Sequence, residues 1–349
     1  MNTQIVQIDE NNIDEIQIEQ AGWILKQGGL VAFPTETVYG LGGDALNENS
    51  SAKIYAAKGR PSDNPLIVHI ADMDALGLLV KEIPKEAYLL AETYWPGPLT
   101  MIFHKSDAVP YATTGGLNTV AVRMPSHKTA QALIRAAGGY VAAPSANRSG
   151  RPSPTVAEYV IEDLEGRVDM IIDGGEVNIG LESTIIDLTG DKPMILRPGY
   201  ITEAMLSEVV GAVNTDKTIL DSHSKEAPKA PGMKYRHYAP KGSLTIVEGD
   251  RDAVTSYINE QTLRLQTEGV KTGVIATDET KSAYQGDVIK SVGSRSDEEA
   301  IARHLFRILR EFDDEEVQGI FSESFDSQGI GQAIMNRLLK AAGHRIVKI

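Results

Sequence analysis

The sequence predicts a two-domain α/β protein: a larger domain on a twisted mixed sheet with flanking helices, a linker, and a smaller Rossmann-like α/β domain. Three observations carry this reading. Helix and strand patterns alternate through the first two hundred residues, the alternation fails between about 211 and 242, and it resumes afterwards. The expected divisions are therefore 1–210, 211–242 and 243–349, and a chain of 349 residues is long for one core.

Asn11 and Asn12 can cap a helix whose apolar positions, Ile13, Ile16, Ala21, Ile24 and Leu25, lead to Gly28-Gly29 at its end. Residues 30–33 read as a strand, 50–58 as a helix, 66–70 as a strand, and 84–94 as a helix with proline in its first turn. Strands are expected at 99–103, 119–124 and 140–143, with a helix at 126–137. A helix at 154–164 precedes strands at 170–173, 184–188 and 194–196. The near-continuous apolar character of several of these strands suits a sheet buried on both faces.

Between 211 and 242 serine, proline, lysine and alanine dominate, as in a linker. No acid lies between Glu226 and Glu248, whereas Lys229, Lys234, Arg236, His237 and Lys241 do, with Tyr235 and Tyr238 among them. A plain tether gains nothing from aromatic residues, so this stretch is expected to dock on something anionic. Beyond it, strands at 244–247, 273–276, 288–291 and 319–322 alternate with helices at 251–266, 297–311 and 331–342. Gly329-Ile330-Gly331 is half of a dinucleotide fingerprint. It lacks the third glycine and a following acid, and reads better as an ordinary helix start.

The net charge of −14 argues against broad nonspecific nucleic-acid binding, though not against a local basic cavity. Without cysteine there can be no disulfide, thiolate nucleophile or Cys-ligated metal, and the seven histidines show no metal-ligand spacing. No metal held by protein side chains is expected, while Mg²⁺ carried by a nucleotide remains compatible. The first twenty residues hold five acids and no Lys or Arg, opposite to a secretory leader, and no apolar run is long enough to span a bilayer. The expected location is the cytoplasm, with no membrane partner.

Against this acidic background, Lys58-Gly59-Arg60-Pro61-Ser62-Asp63-Asn64-Pro65 places two cations on a braced loop running into the apolar 66–70 strand, as an anion site requires. Other strand ends resemble it. Residues 33–42, Phe-Pro-Thr-Glu-Thr-Val-Tyr-Gly-Leu-Gly, set hydroxyls between a strand and a glycine turn. Arg123 closes an otherwise apolar strand, so either an internal acid pairs it or a ligand carboxylate or phosphate does. Ala143-Pro144-Ser145-Ala146-Asn147, Glu182-Ser183-Thr184 and Arg197-Pro198-Gly199 follow the same pattern. No Ser/His/Asp order, Walker loop or paired-carboxylate site is evident. What remains is catalysis by positioning and charge stabilisation, suited to attack on a nucleotide α-phosphate.

Taken in order, Phe33–Leu41, Lys58-x-Arg60, Asn64-Pro65-Leu66, Trp95-Pro96-Gly97-Pro98-Leu99, Val122-Arg123-Met124-Pro125, Pro144-Ser145-Ala146-Asn147 and Glu182-Ser183-Thr184 resemble the YrdC-type domain. With the second domain, the whole chain resembles the long form of the threonylcarbamoyl-AMP synthase family. The resemblance implies a nucleotidyltransferase that joins L-threonine, bicarbonate and ATP into threonylcarbamoyl-adenylate with release of pyrophosphate. Its product would pass to the tRNA threonylcarbamoyltransferase machinery, which modifies adenosine beside the anticodon. It further implies that Thr37, His69, Arg123, the backbone at Ala143 and Ser183 hold threonine. Arg60, Asn64, Thr119, Ser145, Ser153, Arg197 and His237 would hold ATP, with Lys58 and Arg60 at the reacting phosphates and Mg²⁺ arriving with ATP. Tyr235, Arg236 and His237 would form a lid shielding the labile mixed anhydride from water. Two readings compete: an RNA-binding module that uses the basic cavity without adenylation, and a hydrogenase-maturation carbamoyltransferase subunit. The absence of cysteine weighs against the second, because those proteins carry Cys-rich zinc modules.

Overall fold

A computed structural model describes residues 2–216 and 237–349. The chain forms two compact units, one of residues 1–149 and 153–234, the other of residues 150–152 and 235–349.

The first unit opens with β1 (Gln4–Gln7) and α1 (Glu15–Lys26), followed by β2 (Val31–Phe33), β3 (Gly40–Asp44), α2 (Glu48–Lys58) and β4 (Ile67–His69). Two short helices, α3 (Leu76–Leu79) and α4 (Lys85–Tyr94), lead to β5 (Leu99–His104), α5 (Tyr111–Thr114) and β6 (Thr119–Arg123). Then come α6 (Lys128–Ala136), β7 (Val141–Ala142), α7 (Ala157–Leu164) and β8 (Met170–Asp173). The unit's described part closes with β9 (Thr184–Asp187), β10 (Met194–Arg197), α8 (Glu203–Val210) and β11 (Asn214–Thr215). The strands form one mixed sheet in the order β1-β8-β2-β3-β7-β4-β6-β5-β9-β10-β11.

Alternation along β2 shows how the sheet is buried. Ala32 joins a core with Leu41, Val68 and Val122, whereas Val31 and Phe33 join another with Leu25, Leu133 and Ile172. Successive side chains leave a strand on opposite faces, so both faces are covered. On one face α1 and α6 pack so closely that a Cβ on Gly22 would lie 2.6 Å from the Ala136 backbone.

Several expectations need correction. The first helix is capped by Asp14, whose carboxylate accepts the Gln17 amide, and not by Asn11 or Asn12, while Ile16 faces solvent. Pro84 is the N-cap of α4 and precedes its first turn. Residues 40–42, read as a glycine turn, belong to strand β3. Glycine normally weakens strands, but here a Cβ on Gly42 would meet the Phe33 ring and Val141 at 2.9 Å, so only glycine admits those neighbours. Strand β1 and helix α8 went unread, and β11 pairs with β10 inside a stretch read as linker.

The second unit contains β12 (Ser243–Glu248), α9 (Arg251–Thr267), β13 (Thr272–Ala276), β14 (Val288–Ser291), α10 (Glu298–Asp314), β15 (Gly319–Glu323), α11 (Gly329–Ala341) and β16 (Ile346–Lys348). All pairings are parallel, in the order β14-β13-β15-β12-β16, which is the Rossmann-like arrangement expected, with β16 an addition. Helix α10 buries Ile301, Leu305, Ile308, Leu309 and Phe312. Gly329-Ile330-Gly331 does begin a helix, and the Gly331 amide donates to the Glu298 carboxylate at 3.2 Å. A carboxylate thus stands where a dinucleotide pyrophosphate would bind.

Candidate active site

The site is organised around residues 35–41, between β2 and β3. Thr35 Oγ1 donates to the Val38 carbonyl at 2.7 Å and lies 2.9 Å from Thr37 Oγ1, which fixes the turn locally. Other loops then attach to its backbone. Ala146 N–H donates to the Tyr39 carbonyl, Leu41 N–H to Pro144, Tyr39 N–H to Pro154, Ile179 N–H to Glu36 and Gly180 N–H to Thr37, all at 2.7–3.0 Å. The loops bearing Ser145, Ser153 and Ser183 are thereby brought to one edge of the sheet.

Parallel and antiparallel pairing set His69, Arg123 and Thr100 side by side on β4, β6 and β5. The Arg123 guanidinium is buried and ion-paired: Nη2 lies 2.7 Å from Glu36 Oε1, Nη1 donates to Thr37 Oγ1 at 2.9 Å, and Nε to the Gly97 carbonyl at 3.4 Å. Of the two readings open in the sequence, the internal acid is therefore present. Thr100 Oγ1 lies 2.7 Å from Ser183 Oγ. Arg197 donates from Nη2 to that same Ser183 hydroxyl at 3.1 Å and from Nε to the Ser183 carbonyl at 3.0 Å. Thr37, His69, Arg123, Ser183 and Arg197 thus fall along one band of the sheet.

Burial drives the His69 pKa from its ordinary 6.5 down to about 3, and the neighbouring Arg123 charge pushes it the same way. The ring is therefore neutral, with Nδ1 3.1 Å from the Ile67 carbonyl. A folded-state value below the unfolded one means that this stability is complete above pH 6.5 and is lost as pH falls towards 3. Thermal melts between pH 8 and 4 are expected to show wild type losing Tm faster than His69→Gln below pH 6.5. Parallel curves would show that the ring does not contribute this acid sensitivity.

Lys58 ends α2 and is 3% exposed. Its ammonium donates to the carbonyls of Ser145 and Asn147, each at 2.5 Å. The Ser149 amide returns to the Lys58 carbonyl, so the lysine clamps the 145–149 loop from both ends. Ser145 Oγ donates to Asn147 Oδ1 at 2.6 Å. Arg60 curls back onto its own loop, with Nη2 3.0 Å from the Pro65 carbonyl and 3.3 Å from that of Asn64. Thr119 lies at the opposite end of β6 from Arg123, and continuing the β4–β6 register brings it beside Pro65. The Ala143 amide donates to the Ile67 carbonyl at 2.9 Å, and Ser153 Oγ donates to Glu182 Oε1 at 2.7 Å.

The second-unit residue His237 packs against Tyr238, with ring centroids 5.6 Å apart. Tyr235 and Arg236, the other expected lid residues, lie outside the described residues. Sequence reasoning left Thr100 and Asn147 without a role. Thr100 gave no signal, being one hydroxyl in an apolar strand, whereas Asn147 closes a motif whose residues were already of interest. Among the described residues no cluster of His, Asp or Glu could hold a metal, and no helix is long and apolar enough to cross a membrane.

Comparison with known proteins follows the same two-part division. The family model for Sua5, YciO and YrdC proteins, described as telomere recombination, matches residues 23–199. The model for the C-terminal domain of threonylcarbamoyl-AMP synthase matches residues 201–343. Threonylcarbamoyl-AMP synthase of Pyrococcus abyssi is 48% identical over 347 residues, covering 99% of this chain and 100% of the relative. The Bacillus subtilis enzyme of the same name is 48% identical over 341 residues, 97% of each chain. A crystal structure of P. abyssi Sua5 complexed with L-threonine superposes with a TM-score of 0.94 at 48% identity, covering 99% of this chain and 100% of that one. The crystal structure of Escherichia coli YciO has a TM-score of 0.52 at 29% identity, covering 56% of this chain and 95% of that one. With both family models matched and full-length relatives at this identity, the chain belongs to the threonylcarbamoyl-AMP synthase family.

Proposed function

We propose that the protein makes L-threonylcarbamoyl-AMP from L-threonine, bicarbonate and ATP, releasing pyrophosphate. The observation that carries this reading is the shared attachment of the Ser145, Ser153 and Ser183 loops to the 35–41 segment, beside Arg123 and Lys58. It provides cations and hydroxyls for an amino acid next to a triphosphate, without a protein nucleophile.

Threonine would lie along the band from Thr37 to Ser183. Among the described residues Arg123 donates three bonds, which leaves two of a guanidinium's five N–H groups for the substrate carboxylate. Thr37 and Ser183 supply hydroxyl partners for the substrate hydroxyl, with neutral His69 and the Ala143 backbone closing the subsite. The threonine ammonium gives a proton to bicarbonate, which loses water to become carbon dioxide; the free amine adds to that carbon and sheds a second proton to solvent, leaving a carbamate. A carbamate oxygen then attacks the ATP α-phosphorus as the bond to pyrophosphate breaks. Arg60, Asn64, Thr119, Ser145, Ser153, Arg197 and His237 hold the nucleotide in this reading. Lys58, Arg60 and Arg197 offset phosphate charge, with Mg²⁺ entering on ATP. The lid role of Tyr235, Arg236 and His237, the cytoplasmic location, and transfer of the product to tRNA-modifying machinery belong to the same proposal.

The test is pyrophosphate release from ATP with threonine and bicarbonate each supplied or withheld. Release is expected only when both are present. Release indifferent to threonine would refute the reading, and salt-sensitive RNA binding without turnover would favour the RNA-binding alternative.

A further inference from the structure

The chain joins the second unit for three residues, Gly150–Pro152, in the middle of a loop whose other residues belong to the candidate site. Each of the three is held. Pro152 offers its carbonyl to Arg310, which donates from Nε at 3.0 Å and from Nη2 at 2.7 Å. Arg151 Nη2 lies 3.6 Å from Asp313 Oδ2, and the Gly150 carbonyl accepts the Ala239 amide at 2.8 Å. Asp313 also accepts the Lys241 amide at 2.6 Å. Arg310 and Asp313 are three apart on α10 and so share a helix face.

Arg310 is fully buried. Desolvating a guanidinium is costly, and an apolar side chain would fill the same interior more cheaply. What an apolar residue cannot do is fix a main-chain carbonyl with two converging donors. Immediately before this stretch, Ser149 is held by the Lys58 carbonyl, and immediately after it Ser153 is bonded to Glu182. Beyond His237, the Ala239 amide donates to the Gly150 carbonyl and the Lys241 amide to Asp313 of α10.

We propose that Arg310 is a positioning residue for the nucleotide subsite. By anchoring Pro152 it sets the reach of the loop between Ser149 and Ser153. This inference rests on the assignment of Ser153 to ATP. Arg310 touches no reacting atom in it. The consequence is a selective effect on ATP, carried through the Pro152–Ser153 link.

The test is ATP and threonine affinity by titration calorimetry, which needs no turnover, alongside KM values and melting curves for wild type, Arg310→Met and Arg310→Lys. Arg310→Met is expected to weaken ATP binding about tenfold while threonine binding stays near wild type, with partial rescue by Arg310→Lys. Should the methionine variant not fold, the lysine variant decides by the same split. Unchanged ATP affinity in a folded variant would overturn the anchor, as would equal weakening of both ligands in step with Tm. A wild type that binds ATP but releases no pyrophosphate would instead overturn the enzymatic reading, leaving the anchor to be judged on the titrations.

Discussion

Lys58→Met is expected to lower threonine-dependent pyrophosphate release by about two to three orders of magnitude. Two losses combine. The ammonium at the end of α2 is removed from the proposed phosphate subsite, and the carbonyls of Ser145 and Asn147 lose the donor that holds them at 2.5 Å. A stranded buried acceptor costs about 1–3 kcal/mol, so Tm should fall as well. The two losses can be separated. Lys58→Arg keeps a cation and several donors but alters their geometry, and is expected to recover Tm more fully than kcat/KM. If Lys58→Met retains both the rate and the Tm of wild type, the lysine has neither role.

Arg123→Ala is expected to raise the threonine requirement by about 2–5 kcal/mol, which corresponds to roughly thirtyfold or more in KM. It also leaves Glu36 buried without the partner that sits 2.7 Å away, and breaking a buried pair on one side is strongly destabilising. Combining Arg123→Ala with Glu36→Gln is therefore expected to restore part of the lost Tm while leaving threonine affinity as poor as in the single variant. Recovery of threonine affinity in the double variant would show that the arginine supports the fold and does not bind the ligand. Substrate titrations with parallel melts distinguish the outcomes.

Much of this architecture could be read from the residues. Continuous apolar runs such as 170–172 announce strands buried on both faces. What escaped is instructive. Strand 40–44 is glycine-rich because Phe33 and Val141 press against it, a tertiary demand that overrides local propensity. Strand 4–7 is short and lies at the sheet edge, so its pattern is weak.

The site was legible as residue types and not as pairings. Arg123 on an apolar strand called for a partner, but only the fold selects Glu36 and adds Thr37. Lys58 read as a cation for phosphate, whereas its clamp on main-chain carbonyls involves atoms that every residue carries and no sequence pattern marks. Arg310 is the extreme case: it lies 158 positions from the carbonyl it holds and gives no local sign.

Loops 144–146, 153–154 and 179–180 attach to residues 35–41 through amides and carbonyls, at Tyr39, Leu41, Glu36 and Thr37. Such joints are indifferent to which side chains flank them but depend on chain length, because one extra or missing residue displaces every amide downstream. Loops 144–146, 153–154 and 179–180 should therefore tolerate many replacements outside the residues assigned to ligands, yet reject single-residue insertions and deletions.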